Sequence, residues 1–163
     1  MPDWRGPDWR GTVEAIYVGP NAKDPMVAVD AVTAVAGRGI EGDRYFEQRG
    51  SFSKPDGIDP KQEITLIESE AVESAATTYG VELAPSDSRR NIVTRGVALN
   101  HLVGKEFTVG ETRLRGVKLN EPCRHLVAVA GKPMIKLLRH RGGLRAQILT
   151  GGRISVGDEV APG

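Results

Sequence analysis

Apolar and polar residues alternate from Thr12 to Val18, setting Val13, Ala15 and Tyr17 against Thr12, Glu14 and Ile16, and Gly19-Pro20-Asn21 closes the run as a strand. Val27 to Val35 is valine-rich and alternates in the same way, then enters Gly37-Arg38-Gly39-Ile40-Glu41-Gly42-Asp43-Arg44-Tyr45, where three glycines predict an irregular loop. Gln48 to Pro60 has little periodicity and predicts a surface loop. Glu63 to Ile67 is a short apolar strand, and Glu68 to Ala76 follows with acids early and alanines late, as a helix prefers, until Gly80 stops it. Arg89 to Val93 predicts a strand entered through a polar corner, and Lys105 to Val109 pairs with Thr112 to Leu119 across Gly110-Glu111 as a hairpin. Two short helices are expected after Cys123, broken at Gly131-Lys132-Pro133, and Leu144 to Thr150 and Arg153 to Val160 complete the strands around Gly151-Gly152. Roughly seven or eight strands with two or three short helices, not regularly alternating, point to a barrel or a sharply bent sheet rather than βαβ winding.

Composition narrows this picture. The chain has 163 residues, enough for one self-sufficient core; 20 glycines and 10 prolines with only 5% aromatics suit many short strands joined by tight turns. Lys plus Arg number 22 against 21 Asp plus Glu, so no global field recruits nucleic acid or an anionic membrane, and any anion has to be caught by a local cluster. The N-terminus lacks a signal pattern, and no apolar run approaches the roughly 20 residues of a membrane span, so a cytoplasmic protein is expected. Residues 2–6 and 7–11 repeat the pentapeptide Pro-Asp-Trp-Arg-Gly. Five residues are too few for a structural repeat, so residues 1–10 are expected to be a poorly ordered arm, which Trp4 or Trp9 can anchor, ahead of a single domain over 11–163.

Cys123 is the only cysteine. It cannot form an intrachain disulfide, which leaves packing, redox chemistry or ligation of a soft metal. Its setting, Glu121-Pro122-Cys123-Arg124-His125-Leu126, supplies cationic neighbours that favour the thiolate, the form that attacks and binds metal. Three further clusters compete. Gly39 to Arg44 offers flexible amides and one guanidinium for a phosphate or pterin-like anion, or simply a turn closed by the Asp43–Arg44 pair. In Arg89-Arg90-Asn91, strand alternation sends Arg89 and Asn91 toward one ligand and Arg90 away, unless the pair is only a solvated charge. His140-Arg141-Gly142-Gly143 is a basic turn in which His140 also serves as an ordinary helix cap. Zinc is set aside because there is no second cysteine and His101, His125 and His140 are not closely paired; neither a Gly-x-Ser-x-Gly elbow nor a recognisable Schiff-base lysine context occurs.

Taken in order, Gly11-Thr12-Val13-Glu14-Ala15-Ile16, Gly39 to Tyr45, Arg89-Arg90-Asn91-Ile92-Val93-Thr94, Glu121-Pro122-Cys123, Arg141 to Ala146 and Gly157-Asp158 resemble a free-standing MOSC domain, the domain named for the C-terminus of molybdenum-cofactor sulfurases. The resemblance covers nearly the whole chain from Gly11 onward. It implies a mainly β fold, a MOSC-type β-barrel with a few short peripheral helices. It also implies that Cys123 is the molybdenum ligand, as in amidoxime-reducing relatives, or carries sulfane sulfur as a persulfide, as proposed for the sulfurases. Arg89 and Asn91, and Arg44 as a further candidate, then bind the pterin and phosphate of the molybdenum cofactor (molybdopterin).

The implied reaction is reduction of N-hydroxylated compounds, with electrons from a separate flavin or iron–sulfur partner; the alternative is a sulfur or cofactor carrier served by a cysteine desulfurase. Many small members of the family carry a second cysteine where this chain has Asn120, which argues against a two-thiol relay. No pyridoxal phosphate is expected in this chain alone, because the sulfurases' aminotransferase-like domain is not part of it.

Overall fold

The computed structural model describes residues 6–163. Eleven short strands, β1 (Gly11–Val18), β2 (Val27–Val29), β3 (Ala31–Val35), β4 (Gly39–Ile40), β5 (Ile64–Glu68), β6 (Ile92–Arg95), β7 (Glu106–Val109), β8 (Thr112–Leu119), β9 (Leu144–Thr150), β10 (Gly152–Ser155) and β11 (Glu159–Pro162), are joined by three helices, α1 (Ser69–Tyr79), α2 (Arg124–Ala130) and α3 (Met134–Leu137). Seven strands close into a barrel in the order β11-β7-β8-β9-β5-β6-β1, and β1 returns to β11 through Gly11↔Val160 and Thr12↔Glu159. Closure removes the open edges that so many short strands would otherwise expose. β2 extends β1, and β10-β3-β4 form a separate three-stranded sheet. None of the helices among the described residues is long and apolar enough to cross a membrane.

The barrel interior is filled by Val13, Ile16, Ile64, Leu66, Ile92, Phe107, Leu114, Leu144, Ile148 and their neighbours. β5 and β6 are the parallel pair, with Leu66↔Ile92, and a parallel pair needs a crossover. α1 supplies it, ending at Gly80 in the left-handed conformation (φ 69°). The crossover buries the outward residues Ile67 and Val93 against Ala71, Val72 and Ala75 of α1 and Leu126, Met134, Leu137 and Leu138 from the α2–α3 region. This second core holds α2 and α3, and so the segment around Cys123, against the outside of the barrel.

Three expectations are corrected. In β1 a bulge lies between Val13, opposite Thr94, and Ala15, opposite Val93; the extra residue inverts the alternation. Ile16 and Val18 therefore point inward, and Ala15 and Tyr17 pack against the second core. The strand expected over Val27 to Val35 divides at Asp30 between two sheets, and that expected over Arg153 to Val160 divides at the turn around Gly157 (φ 93°). In the arm, Trp9 packs on the barrel core and Arg10 pairs with Glu159 at 3.5 Å, whereas Trp4 lies outside the described residues.

A buried carboxylate faces this core. Glu63 is 3% exposed and accepts the backbone N–H groups of Gly37 (3.0 Å) and Ile148 (3.3 Å). Burial nonetheless holds its carboxyl above the ordinary 4.5. The folded state therefore binds this proton more readily than the unfolded chain, and stability falls as pH rises from the ordinary value through the raised one. Glu63→Gln keeps the acceptor and removes the charge, so it is expected to stabilise the protein at pH 7 by about 1 kcal/mol, with the gain vanishing below about pH 4. Urea melts at the two pH values measure this.

Candidate functional site

The site is assembled where β8 leaves the barrel and β9 enters it. Asn120, just past β8, donates its N–H to the Gly143 carbonyl at 2.8 Å. A Cβ on Gly142 would sit 2.3 Å from the Asn120 carbonyl oxygen, and one on Gly143 would sit 2.0 Å from that of Leu66, so only glycine lets these segments approach so closely. Arg90 clamps them together: its Nε donates to the Gly142 carbonyl and its Nη2 to the Asn120 carbonyl, both at 2.8 Å. Cys123 follows three residues later, exposed, with extended backbone (φ −132°, ψ 173°) and no capping hydrogen bond from its side chain. Its exposure rules out a cysteine buried and idle in the core.

Arg90 is only 8% exposed. Burial, and secondarily the nearby Arg145, pull its guanidinium down to about 9, opposed by the Cys123 thiolate and the Tyr45 phenol. Arg145, on β9, donates to the Lys61 carbonyl at 3.3 Å and is also lowered by burial, with Tyr45 and Cys123 acting the other way. Both guanidinium groups thus lie within electrostatic range of the cysteine sulfur. Neither has a carboxylate within salt-bridge distance among the described residues.

The Gly42-Asp43-Arg44 turn supplies the next cation. Asp43 is buried and accepts from Gly19 N–H (2.9 Å), Tyr45 N–H (3.3 Å) and Asn91 Nδ2 (3.4 Å). Arg44 contacts Asp43 at 3.5 Å and lies over the Tyr45 ring at 4.9 Å. It is close enough to Arg89 and Arg90 to oppose the charge on each. Four guanidinium groups, those of Arg44, Arg89, Arg90 and Arg145, are therefore arranged around Tyr45 and Cys123. A cluster of this sign is stabilised by a multivalent anion.

The structure brings Cys123, Arg44 and Arg89 into one region, as the sequence implied, but it changes two assignments. Arg89 is not in the strand: it ends the short 3-10 helix Pro85–Ser88 in the left-handed conformation (φ 59°), and its Nη1 donates to the Asp24 carbonyl. The alternation that was to turn Arg90 away therefore does not apply, and Arg90 is the arginine whose field reaches Cys123. Asn91, expected to donate directly to a ligand, has no free donor: Nδ2 serves the Tyr17 carbonyl (3.1 Å) and Asp43, and Oδ1 accepts from the Thr65 N–H (3.2 Å) and hydroxyl (3.1 Å). It positions Asp43 instead.

Other chemistry falls away from this centre. His140 pairs with Glu121 at 3.2 Å, and His125 meets the edge of Phe52, from the 48–60 loop, at 5.2 Å. No three His, Cys, Asp or Glu side chains converge among the described residues. A cleft of about 500 Å³ between Pro7, Trp9, Val97, Leu102 and Pro162 borders none of the site residues.

The family model for the MOSC domain matches residues 52–161. The chain belongs to the MOSC family. That family is associated with the molybdenum cofactor. Among curated proteins none matches this chain. Among solved structures it is similar to the YuaD protein of Bacillus subtilis (20% identity, TM-score 0.76, covering 94% of this chain and 97% of that one). It is also similar to YiiM of Geobacillus stearothermophilus (16%, TM-score 0.69, 94% and 75%) and YiiM of Escherichia coli (18%, TM-score 0.68, 96% and 70%). At these identities the likeness is one of fold, and it places the barrel of this MOSC domain beside theirs.

Proposed function

We propose that this MOSC domain binds the molybdenum cofactor, with Cys123 Sγ as the protein's ligand to the metal and Arg44, Arg89, Arg90 and Arg145 as donors to the anionic pterin and its phosphate. The observation that carries this reading is an exposed thiol within the field of buried guanidinium groups that lack carboxylate partners. The donor set fits the group. One soft sulfur and several guanidinium groups cannot chelate a bare ion, but they suit a metal that arrives with other ligands on an anionic carrier. Each guanidinium–phosphate hydrogen bond contributes about 1.5–3 kcal/mol. Asn91 acts through Asp43, which holds the Gly42-Asp43-Arg44 turn in place.

When bound, the cofactor supplies two-electron oxygen-atom chemistry. The reaction proposed is reduction of an N-hydroxylated compound: the N–O bond breaks, two electrons and two protons are consumed, and the amine or amidine and water leave. The chain's own residues ligate, orient and neutralise charge, and a separate flavin or iron–sulfur protein delivers the electrons. Protein expressed with ample molybdate is expected to carry close to one molybdenum per chain after gel filtration. Metal-free protein under those conditions would overturn the reading.

The exposure of Cys123 favours a second reading, a sulfur carrier, because a surface thiol is reachable by another protein's persulfide. Incubation with a cysteine desulfurase and cysteine would then add the mass of one sulfur atom at Cys123.

A further inference from the structure

Residues 122–157 contain seven Lys or Arg and no Asp or Glu, in a chain whose totals are 22 and 21. The near-neutral whole therefore conceals a basic segment and an acidic remainder, and the basic segment is the one that carries Cys123, α2 and α3. Three acids from outside it face this region and are already engaged: Asp87 with Lys132 (2.6 Å), Glu68 with Arg141 (3.5 Å) and Glu121 with His140 (3.2 Å). Arg124, Lys136 and Arg139 are exposed and make no ion pair among the described residues; Lys136 rests over the Tyr79 ring at 5.2 Å. Between them Ile135 remains 38% exposed, an apolar point with cations on either side.

This face adjoins the thiol. Gly142 is packed against Asn120 and Pro122, and His140 is bound to Glu121, so the 139–142 turn runs beside the segment that presents Cys123. An apolar centre ringed by one sign of charge steers a partner of opposite sign and releases it readily, as repeated electron delivery requires.

We propose that the α2–α3 face is the docking surface for an acidic protein that carries the electron donor for the Cys123 site. The inference rests on the reductase reading above. Per turnover the docked protein is oxidised by two electrons, which with two protons convert the N-hydroxyl substrate to its reduced form and water.

The probe is a reduced, acidic [2Fe–2S] ferredoxin. Binding, followed as amide shifts in isotope-labelled protein, is expected at Val129 to Arg141, weakening about tenfold or more between 50 and 300 mM salt. Lys136→Glu with Arg139→Glu should cut ferredoxin affinity and ferredoxin-driven turnover by about tenfold or more, yet leave dithionite-driven turnover unchanged, since a small donor needs no docking. Lys136→Ala with Arg139→Ala, a milder pair, should move both in the same direction should the reversal unfold the chain. Unaltered ferredoxin binding in these variants, shifts elsewhere on the protein, or tighter binding of single-stranded RNA to this face would overturn the proposal. Loss of turnover with both donors in the wild type would instead strike the reductase reading, while the amide shifts would still decide the surface.

Discussion

Cys123→Ser is expected to lower the molybdenum content of protein loaded in the cell by on the order of 100-fold, since removing even an outer-shell group costs a metal site up to about that much. Its fold should survive. Cys123 is exposed, so no cavity is created, and its side chain makes no capping bond, whereas serine at the same N-cap position can accept one. The stability change is therefore expected within about 1 kcal/mol of zero, and if anything favourable. Molybdenum analysis and a urea melt on the same preparation separate the outcomes. Full metal content in the variant would remove Cys123 from the site. A variant that loses metal only because it unfolds would show the stability loss directly. The sulfur-carrier reading predicts a different signature, an unchanged metal content and no gain of one sulfur atom after desulfurase treatment.

The sequence made the barrel legible through its local patterns. The hairpin across Gly110-Glu111, the helix ended by Gly80 and the paired helices broken at Gly131-Lys132-Pro133 all form as their spacing predicts. Misplaced features share one origin, a single residue that changes the phase of the chain. The bulge beside Val13 inverts which residues of β1 enter the core. The left-handed Arg89 likewise resets the direction of everything after it, so strand alternation assigned Arg90 to solvent when it is buried. Periodicity cannot register either event, because both depend on pairing with distant strands.

The candidate site was legible in its chemistry but not in its full membership. Cys123 and Arg44 were singled out from residue type and local glycine content, and both are placed accordingly. Arg145 was missed, although it sits at an outward position of β9 between the core residues Leu144 and Ala146, where alternation marks it as facing away from the barrel interior. An arginine on a barrel strand flanked by two buried apolar residues was the available signal. What it faces follows only from the barrel's closure, which brings Lys61 and Cys123 to its side.

Arg90→Ala is the substitution expected to do the most damage to the fold. It leaves the carbonyl oxygens of Gly142 and Asn120 without their donor in a buried setting and opens a cavity between them. Together these should cost about 3–5 kcal/mol, read as a drop in the urea midpoint with little change in slope. Arg90→Lys should recover only part, because an ammonium lacks the fork that reaches both carbonyls. The same residue sets a pH dependence. Burial pulls the guanidinium down to about 9 from the ordinary 12.5, so its desolvation penalty is present below pH 9 and relieved as pH rises through that value, where the unfolded chain still holds the proton. An anion beside Arg90 favours the protonated form. Stabilisation by phosphate, measured as the rise in Tm between zero and high phosphate, should therefore be flat from pH 6 to about 8 and decline above about 9. A phosphate effect that persists undiminished at pH 10.5 would detach anion binding from Arg90 and leave the arginine as a clamp on the Cys123 segment alone.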